Sequence, residues 1–218
     1  MALIWLTDMS VEEYLQLGQD DVLRPRCLSC KRTMQRWSGY QRAARQQGTD
    51  TTATQLEATP IPIHRFHCPD CNWTPGLLPS FLFSRRQDVA EEIGRALVLL
   101  AGGERITTAA QAVTRPPSTV RDWWRRLRER ARKLGHGVAG LAVEMGAEID
   151  EVHPIPLDWC LAMLAQVLKQ LERRGRPATL WSCASWLSGG AWLATNTSPL
   201  PNSALIPRLL WNATANGP

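Results

Sequence analysis

With 218 residues, 44% of them hydrophobic and 21% charged, the chain is globular in composition and long enough for one large domain or two to three small ones. It carries a net charge of +5 and lacks an apolar run of the ~18 residues that a membrane span needs, and its opening, MALIWLTDMSVEEY, turns polar too early to be expected as a signal peptide. A cytoplasmic, nucleoid-associated protein without membrane partners is expected, and its six cysteines read as thiols or metal ligands before disulfides.

In chain order, residues 1–21 predict a short amphipathic helix, with Ser10 as its cap and Glu13 completing a capping box. Two Cys-x2-Cys turns come next, Cys27-Leu-Ser-Cys30 and Cys68-Pro-Asp-Cys71. Each wraps a metal within one tight turn, and four thiolates suit tetrahedral Zn2+ at Zn–S distances of about 2.3 Å. Between them, residues 33–41 and 61–67 predict the strands of a hairpin, and the polar residues 46–59 its mobile tip. The reading is a four-cysteine zinc ribbon holding one structural Zn2+. Such a closed site has no open position for substrate or activated water, which argues against zinc catalysis. His64 and His67 are close enough to be rival ligands and are read as strand residues. Residues 22–49 hold seven basic residues and no acid, so Lys31, Arg32, Arg36, Arg42 and Arg45 are candidates for a second DNA contact. Residues 73–83 are too apolar for a free linker, and Leu77, Leu78, Phe81 and Phe83 are expected to pin the ribbon rigidly to the helices beyond it.

Asp88 is the expected cap of a helix ending near Ala101, with Val89, Ile93, Leu97 and Leu100 as its buried stripe and Gly102-Gly103 as its stop. Two more helices are expected at residues 107–113 and 117–132. Ala109, Ala110 and Val113 form a packed face on the first, and Val120, Trp123 and Leu127 on the second. That is the layout of a helix-turn-helix, whose second helix enters the DNA major groove. From Arg115 to Lys133 eight basic residues face two acidic ones, so the positive charge is concentrated here. Arg121 and Arg125, at i and i+4, are the candidate groove readers, with Pro117, Ser118 and Asp122 beside them. Arg115, Arg126, Arg128 and Arg130 are candidate phosphate contacts. Trp123 continues the packed stripe; Trp124 lies on another side, toward the ribbon or a partner.

Residues 133–156 are glycine-rich and give no clear element. Helices are expected at 157–174, with a stripe of Leu161, Leu164, Leu168 and Leu171, and at 177–187. The tail from 195 is rich in proline and carries Leu205, Ile206, Leu209, Leu210 and Trp211. Cys160 and Cys183 read as buried, inert thiols. This half is nearly neutral and rich in tryptophan. Trp181, Trp186, Trp192 and Trp211 are therefore candidates for a partner or dimer surface, balanced against a plain helical core. Glu144, Glu148, Asp150, Glu151, Asp158 and Glu172 read as surface acids, because no alternating strands are expected to gather them around metals. No Gly-rich phosphate loop, G-x-S-x-G or H-E-x-x-H occurs, so no catalytic residue is assigned and a non-enzyme is expected. The expected fold is α+β and mostly α, in three domains: residues 1–83, 84–133 and 134–218.

The order Cys27-x2-Cys30, then IHRFHCPDCNWTPGLLPSF, then a three-helix unit resembles the N-terminal DNA-binding regions of bacterial transposases. It is most similar in plan to the small zinc-ribbon/helix-turn-helix proteins associated with actinobacterial-type transposons. AAQAVTRPPSTVRDW carries the bacterial pattern in which two alanines open the packed face and Thr119, Val120 and Trp123 lie in the recognition helix. It departs from that pattern at the turn, where the usual Gly is Thr114, the usual apolar residue Arg115 and the usual capping Ser Pro116. The resemblance covers about residues 24–132. It implies double-stranded DNA binding linked to transposition, as a non-catalytic component beside a separate transposase, integrase or AAA+ ATPase. The other expectations are a docking adaptor acting through the Trp-rich half, and a stand-alone helix-turn-helix transcriptional regulator.

Overall fold

Ser10 and Glu13 form the capping box that their spacing predicts. The Ser10 hydroxyl accepts from the Glu13 N–H at 3.1 Å, and the Glu13 carboxylate accepts from the Ser10 N–H at 2.7 Å. They start helix α1 (Val11–Gln16). The residues before it are not helical: Leu3–Trp5 form strand β1, which pairs in parallel with β4 (Gly76–Pro79). The partner lies far along the chain, so no local pattern announces this strand. The computed structural model describes residues 2–46, 57–149 and 154–193.

The hairpin is longer than its hydrophobic signal. Strands β2 (Gln35–Gln46) and β3 (Glu57–His67) pair antiparallel from Gln35↔His67 to Gln46↔Glu57. Of the expected polar tip, residues 47–56 lie outside the described residues. The sheet order is β1-β4-β3-β2. The apolar stretch 73–83 is itself part of this sheet, and it joins three cores. Leu77 packs with Leu3, Met34 and Phe66 beneath the cysteine turns. Leu78 and Phe81 pack with Val11, Tyr14, Ile61 and Ile63. Phe83 enters the helical core. This is the physical basis of the rigid relation expected between hairpin and helices.

Helix α2 (Ala90–Ala101) buries Ile93, Leu97 and Leu100 as expected, but Asp88 is not its cap. Val89, whose side chain cannot cap, occupies that position, and the Asp88 carboxylate pairs with the Arg115 guanidinium. Helix α3 (Ile106–Ala112) is followed by the 28-residue α4 (Pro117–Glu144). The buried stripe Val120, Trp123, Leu127 and Ala131 continues without a break through Leu134, Val138 and Leu141. The domain boundary expected at residue 133 therefore falls inside one helix.

Helices α5 (Pro156–Arg173) and α6 (Leu180–Leu187) complete the described fold, and α2–α6 share one core. The buried side of α5 is Trp159, Cys160, Met163, Leu164, Val167, Gln170 and Leu171; Leu161 and Leu168 lie at its margins. The class is α+β, with six α-helices and four strands among the described residues. No helix among them is long and apolar enough to cross a membrane. The apolar tail segment around Leu205–Trp211 lies outside the described residues.

Candidate metal centre and nucleic-acid interface

The two cysteine turns share two backbone features. In each, the first cysteine's N–H donates five residues ahead: Cys27 to the Arg32 carbonyl at 2.8 Å and Cys68 to the Trp73 carbonyl at 2.9 Å. In each, the residue after the second cysteine is left-handed, Lys31 at φ 65° and Asn72 at φ 50°. Asn tolerates that conformation and Lys ordinarily avoids it. The turns bring the Sγ atoms of Cys27, Cys30, Cys68 and Cys71 within 4.8 Å of one another, with Cys30 and Cys68 at 3.4 Å. A tetrahedral site with metal–sulfur bonds of about 2.3 Å has sulfur–sulfur edges of about 3.8 Å, so these four residues fit a metal ion.

Electrostatics point the same way. Burial pushes the Cys27 thiol up, but the backbone N–H groups of Cys30 and Ser29, with the neighbouring thiols, outweigh it and bring it down to about 7. The Cys71 thiol is pushed up to about 12, chiefly by Cys30 and Cys27. Four sulfurs this close cannot all ionise without a cation among them. Neither histidine joins the cluster. His67 Nδ1 is hydrogen-bonded to Thr74 Oγ1 at 3.2 Å. His64 lies within the strand, its pKa lowered by burial and then by Arg36.

The structure divides the basic residues of the hairpin. Lys31 is exposed, with Nζ donating to the Leu28 carbonyl at 2.7 Å. Arg32 pairs with Asp70 at 3.0 Å, tying one cysteine turn to the other. Arg36 donates to the Gln19 carbonyl. Arg42 turns inward, donating to the Phe83 carbonyl at 2.7 Å and to that of Arg86, and its partial burial lowers its pKa. Arg42 is thus a brace between hairpin and helices rather than a phosphate contact. Arg45 exposes its side chain while its backbone bonds to Gln87 and Val89.

The arginines of the α3–α4 region divide in the same manner. The Arg115 and Asp88 side chains are only 8% and 11% exposed, so Arg115 serves the fold and not a phosphate. Asp122 accepts from Arg86 at 3.1 Å, Arg126 at 2.8 Å and Arg125 at 2.7 Å. Burial opposes ionisation of its carboxyl, yet the three guanidiniums hold it well below the usual carboxylate range. Asp122 is therefore an internal tie, not a reader of bases, and Arg126 is largely covered beside it. Arg130 donates to the Ala191 and Trp192 carbonyls, both at 2.7 Å.

What remains outward is a single stripe. At 100° per residue, Ser118, Arg121, Arg125, Arg128 and Arg132 fall within about 80° of one another along α4. All five are exposed. Arg121, Arg128 and Arg132 have no ion-pair partner among the described residues; Arg125 pairs with Asp122 and with Glu129 at 2.9 Å. Arg132 was legible as the continuation of the 121, 125, 128 spacing, and Arg86 as an anchor had no sequence signal. Pro117 and Ser118 are exposed at the start of the helix, and Trp124 packs partly buried against the helical core.

The turn before α4 is tight. Thr114 sits at φ 50°, and the Arg115 N–H donates to the Ala110 carbonyl at 2.9 Å. A β-branched residue is costly there. Thr114→Gly is therefore expected to raise stability, by about 0.5–1 kcal/mol after the added chain entropy of glycine is subtracted. Thermal unfolding measures this, and a lower Tm would contradict the strained turn.

Of the two readings of the tryptophans, the packed core is the one found among the described residues. Trp181, Trp186 and Trp192 are buried in the helical core, the first and last with ring centroids 6.2 Å apart. They do not form a partner-docking surface, since an indole at the centre of a helical unit removes more water contact than one at its rim. Trp211 lies outside the described residues. Cys160 and Cys183 are buried thiols pushed up to about 12 by burial, as expected. Glu144, Glu148, Asp158 and Glu172 are exposed, and Asp150 and Glu151 are outside the described residues. Comparison with protein-family models, curated proteins and solved structures gives no match to this chain.

Proposed function

We propose that the chain is a non-catalytic protein that binds double-stranded DNA, with a zinc ribbon as its structural brace and α3–α4 as a helix-turn-helix. The observation that carries this reading is the exposed Arg121, Arg125, Arg128, Arg132 stripe on a helix entered through a tight left-handed turn. Such a stripe matches a groove edge lined by phosphates, and the N-terminal Ser118 and Arg121 are placed to meet base edges. Zn2+ is the metal that suits four thiolates in tetrahedral array. The resemblance of residues 24–132 to transposon-associated proteins supports a place in a mobile-element system. There the protein would recognise element ends or target DNA beside an integrase-like transposase or AAA+ ATPase.

The test is fluorescence anisotropy on a labelled duplex across a salt series. The triple variant Arg121→Ala, Arg128→Ala, Arg132→Ala is expected to lose about a hundredfold in affinity, and the log–log salt slope to fall by about 1 per phosphate contact removed. Its circular dichroism should be unchanged, because all three side chains are exposed. Wild-type affinity and slope in the triple variant would end the reading.

A further inference from the structure

The hairpin carries an aromatic side chain that neither the metal centre nor α4 uses. Strands β2 and β3 pair Arg36 with Phe66 and Ser38 with Arg65, so Trp37 is the extra residue of a β-bulge. A bulge at a sheet edge re-aims a side chain out of the regular alternation. β2 is the outer strand of the sheet, and Trp37 is 64% exposed. The indole is not loose. Its ring centroid lies 5.0 Å from that of His67 at an interplanar angle of 40°. His67 is held in turn by Thr74. One side of the indole thus has a buttress, and the rest is open to solvent.

The surroundings say what would cover it. Residues 22–46 contain seven arginines and lysines and no acid. Arg32 pairs with Asp70, but Arg36, the residue before Trp37, bonds to the neutral Gln19 carbonyl and keeps its positive charge beside the indole. An apolar protein partner would gain nothing from this field. A partner with a flat apolar face on a polyanionic backbone matches both features. In a continuous duplex every base is already stacked on its neighbours, whereas an unpaired base offers a free face.

We propose that Trp37 is a stacking platform for an unpaired DNA base, so that the protein prefers a duplex carrying a single-stranded end to a blunt one. The proposal rests on the DNA-binding reading for the duplex part and adds a second contact made by the hairpin.

The full chain with its metal is titrated by anisotropy against a blunt duplex and the same duplex with an overhang of about ten nucleotides, within the site size of such platforms. The overhang should bind about five- to fiftyfold tighter. Trp37→Ala should abolish that increment and leave blunt-duplex affinity and metal content unchanged, while Trp37→Phe keeps most of it. Equal affinity for the two probes, or an increment that survives in Trp37→Ala, overturns the proposal while leaving duplex binding intact. Trp37-dependent binding of the overhang strand without any duplex affinity would instead sustain the platform and remove the groove-binding role of α4. Tighter, Trp37-dependent binding of an RNA overhang of the same sequence overturns the assignment to DNA.

Discussion

Cys68→Ser is expected to release the metal and to melt the hairpin end of the sheet, with a larger loss of stability than any exposed substitution. The reason is the size of the core beneath the cysteine turns. It consists of Leu3, Val22, Met34, Phe66 and Leu77 together with Cys27 and Cys68 themselves. So few apolar residues cannot close a fold alone, and small units of this kind depend on a metal or a crosslink. The free energy of metal binding is then folding free energy, about 10–16 kcal/mol for zinc-finger peptides at neutral pH, of which losing one ligand should forfeit several. The damage should be local. The α2–α6 core shares no cysteine ligand, so most helical circular dichroism should survive. Metal per chain should fall toward zero, and Tm should fall with it. Full metal retention with an unchanged Tm would show that the four thiols are not a metal site.

The parts of the fold that were legible in the sequence are those decided by near neighbours. Ser10 and Glu13 meet within one helical turn, each Cys-x2-Cys closes on itself, and the Val120, Trp123, Leu127 spacing reports its own helix. The parts that were not legible depend on distant residues. Leu3–Trp5 become a strand only because Leu77–Pro79 lie beside them. The glycine-rich stretch after Lys133 gives no clear element in the sequence, yet its first part continues α4 to Glu144. Gly135 is there because a Cβ would lie 2.6 Å from the Trp159 ring, so its missing side chain admits the neighbouring helix. The arginines teach the same lesson about the site. Arg115, Arg126 and Arg130 look no different from Arg121, Arg128 and Arg132 in a charge count. Only Arg126 has a partner that spacing announces, Asp122 four residues before it; Arg115 is set apart by Asp88 and Arg130 by the carbonyls of Ala191 and Trp192, which lie 27, 61 and 62 residues away. Tryptophan-rich, nearly neutral composition likewise describes a sticky surface and a packed core equally well. Burial of Trp181, Trp186 and Trp192 decides between them.

Gly94→Ala is expected to destabilise the helical unit although alanine is the better helix former. A Cβ at Gly94 would lie 2.0 Å from both Cδ1 and Nε1 of Trp181 and 2.3 Å from its Cγ. These are atoms of a rigid ring, only 4% exposed and backed by Trp192, so no rotamer change clears them. The helix α6 that carries Trp181 is fixed at its start by Thr179, whose hydroxyl also donates to Glu91 of α2. The clash must therefore part α6 from α2. Overpacking usually costs about 1–3 kcal/mol, and about 3–4 kcal/mol is expected here because the ring cannot yield; against a propensity gain of about 1 kcal/mol, the net loss is about 2–3 kcal/mol. For a chain of this size that is a fall in Tm of about 4–12 °C. Gly140→Ala supplies the opposite case. Gly140 lies within α4, and a Cβ there meets nothing within 4 Å. Only the propensity gain applies, and Tm should rise by a few degrees, about 2–4 °C. Metal content should be unchanged in both variants. If Gly94→Ala stabilised the protein as Gly140→Ala does, Trp181 would not be seated on α2.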